Sequence, residues 1–109
     1  MNFNDYQQKA KLTNTMTDSD LAPMYFTLGL TGESGEIAEK VKKIIRNQGG
    51  DFSQLDREDI TKELGDVLWY LAMLADNFGV SLSDVAEKNI AKLADRQARG
   101  VIKSTGDNR

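Results

Sequence analysis

From Pro23, the only proline in the chain, to Asn47 the sequence keeps apolar residues at helical spacing and meets no second breaker before Gln48-Gly49-Gly50. That run predicts one long helix with Pro23 in its first turn and a bend near Gly29 or Gly32. A shorter amphipathic helix is expected from about Asn4 to Leu12, where Phe3, Tyr6, Ala10 and Thr13 recur behind a polar start. The polar stretch Thr13 to Asp20 reads as a loop, and Gly49 to Leu55 as a connector. Asp56 is the expected N-cap of a third helix, with Glu58 and Asp59 in its first turn and its end at Phe78, before Gly79. Ser81, with Asp84 three residues on, opens a fourth helix that runs to about Arg99 and stops at Gly100. The segment from Val101 to Arg109 is polar.

No segment has strand periodicity, and no internal repeat is present. The expected fold class is therefore all-α: a single domain over residues 1–109, built as a bundle of about four helices. A domain this small buries a limited share of its surface alone, so homo-oligomerisation is expected to complete it.

Composition removes several kinds of chemistry. The net charge of −3 gives no broad basic field, which argues against a nucleic-acid polymer as partner. With neither cysteine nor histidine, the chain has no Ser-His or Cys-His nucleophile system, no zinc-cysteine site and no histidine-rich metal site. Carboxylates, lysines, hydroxyls and water remain. The start, Met-Asn-Phe-Asn-Asp, lacks a charged then apolar pattern, so no signal peptide is expected. No stretch is apolar enough to span a bilayer, which leaves no membrane role and the cytoplasm as the expected location.

At about 100° per residue, the third helix puts Ile60, Leu64, Val67, Leu68, Leu71, Leu74, Ala75 and Phe78 on one buried arc. Glu63 and Asp66 fall at its border, where a partly desolvated carboxylate calls for a compensating cation. The second helix repeats the arrangement, with Phe26, Leu30, Ile37, Val41, Ile44 and Ile45 on the arc and Glu33 and Glu36 at the border. Packed antiparallel, the two helices would bring four carboxylates to one pocket. Oxygen ligands alone suit Mg²⁺ or Mn²⁺. Acidic pairs three residues apart also occur on helix surfaces merely to solvate a face. Here, however, like charges that disfavour each other recur twice, each time beside the apolar arc. A di-iron carboxylate bundle is excluded, because it needs Glu-x-x-His pairs.

The strings LGLTGESGEIAEKVKK, around Glu33 and Glu36, and KELGDVLWYLAMLA, around Glu63 and Asp66, resemble the MazG-type branch of the all-α NTP pyrophosphatases. The signature of that family is Glu-x-x-Glu, a variable spacer, then Glu-x-x-Asp, and the 26 residues between Glu36 and Glu63 are compatible with it. KNIAKLADRQARG and STGDNR are also similar to short, single-domain members, and the resemblance runs from NDYQQKAKLT onward.

It implies hydrolysis of a nucleoside triphosphate between its α- and β-phosphates, giving a monophosphate and pyrophosphate. Glu33, Glu36, Glu63 and Asp66 would hold Mg²⁺, with Mn²⁺ as a substitute, and Glu36 is assigned to orienting the attacking water or taking its proton. Asn89, Lys92 and Arg96 share one stripe of the fourth helix and match the family's Asn-x-x-Lys-x-x-x-Arg stretch. Lys92 and Arg96 offer cationic partners to a triphosphate, or form a solvated basic stripe. Lys40 and Lys43 either reach phosphate or offset the glutamates. Trp69 and Tyr70 either stack on a base or ribose, which makes Trp69 a candidate substrate contact, or serve packing. Lys103 and Gly106-Asp107-Asn108-Arg109 are expected to close over a neighbouring subunit's site. The resemblance further implies homodimers or homotetramers and a role in clearing non-canonical or surplus nucleotides. Two other readings stand beside it: a dCTP- or dUTP-specific pyrophosphatase, and a non-catalytic helical dimerisation or regulatory module.

Overall fold

A computed structural model describes all residues from Met1 to Arg109 and contains helices and no strands. Helix α1 spans Phe3–Lys11, α2 Ala22–Gln48, α3 Arg57–Asn77 and α4 Leu82–Ala98, with a 3-10 turn at Phe52–Gln54 before α3. Three of the helix starts are set by side-chain caps. Asn2 accepts from the Asp5 N–H at 2.8 Å, Asp56 from those of Glu58 and Asp59 at 3.0 and 3.1 Å, and Ser81 from that of Asp84 at 3.1 Å. Leu21 cannot cap α2. Asp18 gathers that turn instead, its carboxylate accepting from the Asp20 and Leu21 N–H groups ahead of Pro23. The far end of α2 stops at Gly49, whose φ of +61° is left-handed and would cost a residue with a β-carbon roughly 1–2 kcal/mol.

Helices α2 and α3 run antiparallel, and cross-helix pairs fix their register. Lys40 reaches Asp59 and Glu63, Glu33 meets Glu63 and Asp66, and the rings of Phe26 and Tyr25 approach those of Trp69 and Tyr70. Helical hydrogen bonding continues through Gly29, Gly32 and Gly35. At Gly29 a β-carbon would land on the Tyr70 ring, so this glycine is what lets the ring lie flat against α2.

All four helices contribute to the core, but at one end of the molecule only. It consists of Ala10, Ala22, Phe26, Ala72, Met73 and Leu82. Gln7 ties that end together. Its Nε2 donates to the carbonyls of Ala72 and Val80, both at 3.1 Å, and its Oε1 accepts from the Leu82 N–H at 2.9 Å. Each buried group left without its partner by loss of this side chain would cost roughly 1–3 kcal/mol.

Three residues assigned to the buried arcs lie in the open: Leu64 is 53%, Phe78 66% and Ile45 58% exposed. Ala72 and Met73, which the arc of the third helix omitted, are the most enclosed, at 0% and 1%. Helical periodicity identifies the apolar side of a helix but not how far its neighbours extend along it. The C-terminal half of α3 is gripped by α1 and α2 together, through Gln7 and Phe26. In all, eight of the 109 residues are buried. The radius of gyration of 16.9 Å exceeds the roughly 13 Å usual for a compact domain of about this length.

Candidate metal centre

The antiparallel register determines which carboxylates meet. Glu33 projects from α2, and Glu63 and Asp66 project from adjacent turns of α3. Their donor oxygens all lie within 4.8 Å of one another. Oxygens at about 2.1 Å from an octahedral Mg²⁺ stand about 3 to 4 Å apart. Small side-chain rotations would therefore close this cluster on one ion, and an all-oxygen donor set suits a hard cation. Glu36, one turn along α2 from Glu33, is exposed and lies outside the group of three.

Electrostatics mark the cluster as short of positive charge. The Glu33 carboxyl is pushed above its ordinary value, first by burial and then by the charges of Asp66, Glu63 and Glu36. Lys40 is the only cation paired with this group. Its ammonium sits 2.5 Å from Asp59 and 3.5 Å from Glu63, and the hydrogen bond with Asp59 is the main reason its pKa is raised. Lys40 thus belongs chiefly to Asp59 and offsets the cluster at its edge. Lys43 is exposed and makes no ion pair.

Of the two aromatic neighbours in sequence, Tyr70 faces the acids and Trp69 does not. The Trp69 indole N–H donates to Thr13 Oγ1 at 2.8 Å, and its ring meets Phe26 edge-on, which turns it toward the end of α1. The Tyr70 phenol is raised, first by the neighbouring Tyr25 hydroxyl, then by burial, with the charges of Glu33 and Asp66 adding to the effect. Tyr6 of α1 is raised by burial and then by Asp66. Tyr70 follows Asp66 by four residues and so shares its face, a signal available in the sequence. Tyr6 could not be found that way, because only the tertiary packing of α1 brings it near.

The largest cavity, about 430 Å³, is lined by Met1, Asn2, Phe3, Tyr6, Leu68 and Ser83. A second hollow of about 180 Å³ shares Phe3 and Leu68 with it and has Asn89 as its one polar lining residue. No carboxylate of the cluster lines either cavity, and Tyr6 is the residue common to the larger cavity and the electrostatics of the cluster. Further along α4, Lys92 and Arg96 are both paired with Asp107, whose Oδ1 is 2.9 Å from each. These two cations hold the Asp107 carboxyl down to about 2, Lys92 contributing first. The segment 101–109 folds back against its own α4: Arg109 donates to the carbonyls of Val101, Ile102 and Gly106, and Arg99 donates to the Arg109 carbonyl. Lys103 is exposed.

Three carboxylates meeting across two antiparallel helices, without strands or histidines, define a helical carboxylate site. Residues 23–101 match the MazG nucleotide pyrophosphohydrolase domain, and the chain belongs to that family. Members are typically pyrophosphohydrolases and generally depend on a metal. The chain is 54% identical over 85 residues to the gene 37 protein of Mycobacterium phage L5, an overlap that covers 78% of this chain and 75% of the phage protein. It is 36% identical over 72 residues to the uncharacterized protein YvdC of Bacillus subtilis (strain 168), covering 62% of this chain and 68% of that one. No solved structure matches it significantly. No helix is long and apolar enough to cross a membrane.

Proposed function

We propose that residues 1–109 form one MazG-type domain that hydrolyses a nucleoside triphosphate between its α- and β-phosphates with Mg²⁺ as cofactor, clearing surplus or non-canonical nucleotides in the cytoplasm. The observation that carries the proposal is the convergence of Glu33, Glu63 and Asp66 from two helices to within 4.8 Å. These three would hold the ion. Once bound, it neutralises phosphate oxygens and acidifies water.

Glu36, next to the group and exposed, is free to orient the attacking water and take its proton. Water adds to the α-phosphorus, the bond to the bridging oxygen breaks, and pyrophosphate leaves with that oxygen, so (d)NTP and H₂O give (d)NMP and pyrophosphate. Lys92 supplies a cation to the triphosphate. Asn89, one turn earlier, opens onto the apolar hollow beside Leu68 and Leu71, which suits it to the nucleoside end.

Tyr70 is better placed than Trp69 to touch a nucleotide held at the acids, because its phenol senses Glu33 and Asp66. Homo-oligomerisation is supported by the extended shape and by exposed apolar side chains on three helices, among them Met24, Leu28, Leu64 and Ile90 at 53–66%.

The test is product identification: the protein is incubated with a panel of canonical and modified NTPs and dNTPs in Mg²⁺. Monophosphate and pyrophosphate are expected in equal amounts, and EDTA should stop their formation. Diphosphate with orthophosphate would mean cleavage at the other anhydride, and no product from any nucleotide would favour a non-catalytic module.

A further inference from the structure

The two cations of α4 differ in a way that their shared stripe conceals. The Arg96 side chain is 6% exposed and that of Lys92 40%. A guanidinium so enclosed has little surface to offer a phosphate, and left unpaired it would carry a heavy desolvation cost. Asp107 satisfies it twice, through its carboxylate and through its own carbonyl oxygen. The same carboxylate oxygen accepts from Lys92 Nζ at 2.9 Å. An ammonium has three donors, so the contact with Asp107 leaves two for a ligand.

We propose that Asp107 is a positioning residue for substrate binding: anchored on buried Arg96, its carboxylate holds the Lys92 ammonium where the triphosphate needs it. This rests on the reading of Lys92 as a partner of the triphosphate. The benefit is entropic as well as geometric. A free lysine has to give up rotamer freedom on binding, and the clasp has already taken part of it. The clasp itself is held by the fold-back of 101–109, since Arg109 donates to Val101 at 3.0 Å and to Gly106 at 2.6 Å, on either side of the chain reversal. Arg96 is then the anchor of the clasp, and Lys92 the cation that meets the ligand.

The experiment is a double-mutant cycle on the full chain, using the nucleotide that the wild type hydrolyses best and reading kcat, KM and thermal midpoint. Asp107→Ala is expected to raise KM about tenfold, in keeping with a charge-assisted hydrogen bond, and to leave kcat within about twofold. Lys92→Ala should raise KM at least as much, and the double variant should be no worse than Lys92→Ala alone, because both changes remove one device. Asp107→Asn, which keeps the shape and the carbonyl contact to Arg96, serves the same test should the alanine variant unfold.

A lower KM in the Asp107 variants would mean that the carboxylate competes with phosphate for the ammonium, and this would overturn the proposal. Multiplying, independent effects with a falling thermal midpoint would reduce Asp107 to a fold-stabilising role and overturn it equally. An active Lys92→Ala enzyme with unchanged KM would instead remove the underlying reading of Lys92. Absence of turnover in the wild type would remove the proposed activity itself.

Discussion

Asp66→Asn and Glu36→Gln are each expected to lower turnover by about 10²- to 10⁴-fold while leaving the helical circular-dichroism spectrum unchanged. Both substitutions are isosteric and delete one negative charge from a crowd of like charges, so the fold has nothing to lose. Asp66 is one of the three carboxylates that meet across α2 and α3, whereas Glu36 stands outside them. The two variants should therefore fail differently. Asp66→Asn removes a ligand, and raising Mg²⁺ should recover part of its activity; Glu36→Gln removes the proton acceptor, and added metal should recover none. Near-normal activity in both would refute the assignment.

The second large effect is on stability. Glu33 has its carboxyl raised in the folded chain, by burial and then by Asp66, Glu63 and Glu36. For a group raised in this direction, the favourable contribution to folding is complete below the ordinary glutamate value. It is lost as pH climbs through the raised value, because the fold then holds a charge it disfavours. The metal-free protein is thus destabilised at this site at neutral pH, and a bound cation reverses the effect.

Mg²⁺ at about a hundred times its dissociation constant should stabilise the fold by about 2.7 kcal/mol. This corresponds to a rise of the order of 10 °C in thermal midpoint. The rise should shrink as pH falls into the carboxylate range and disappear below it. Glu33→Gln should raise the metal-free midpoint at neutral pH and remove most of the Mg²⁺ increment. Thermal unfolding in EDTA and in Mg²⁺, across pH, reads all of this. An increment that ignores both pH and Glu33 would place the ion elsewhere.

Much of this arrangement was legible in the sequence because it depends on local rules. Asp56 and Ser81 cap their helices by short-range hydrogen bonds, and Gly49 ends α2 through its own conformational freedom. The meeting of Glu33 with Glu63 and Asp66 followed from two borders of two apolar arcs and an antiparallel connection.

What escaped depends on where a third element lies. Gln7 is polar, yet it is 3% exposed because the end of α3 and the start of α4 close over it. Leu64 and Phe78 were given to the core because they recur at helical spacing, yet both are exposed, Phe78 at the cap that follows α3. Tyr70 and Trp69 are adjacent in sequence and both pack on α2, and the room that Gly29 leaves for the Tyr70 ring comes from the opposite helix. The pairing of Asp107 with Arg96 and Lys92 spans a chain reversal that no periodicity encodes.

The most direct measurement is diffraction from crystals grown with Mn²⁺, recorded where manganese scatters anomalously. The expected result is an anomalous peak bounded by the carboxylates of Glu33, Glu63 and Asp66. An ordered site with no peak among those three residues, in crystals that bind manganese elsewhere or not at all, would contradict it.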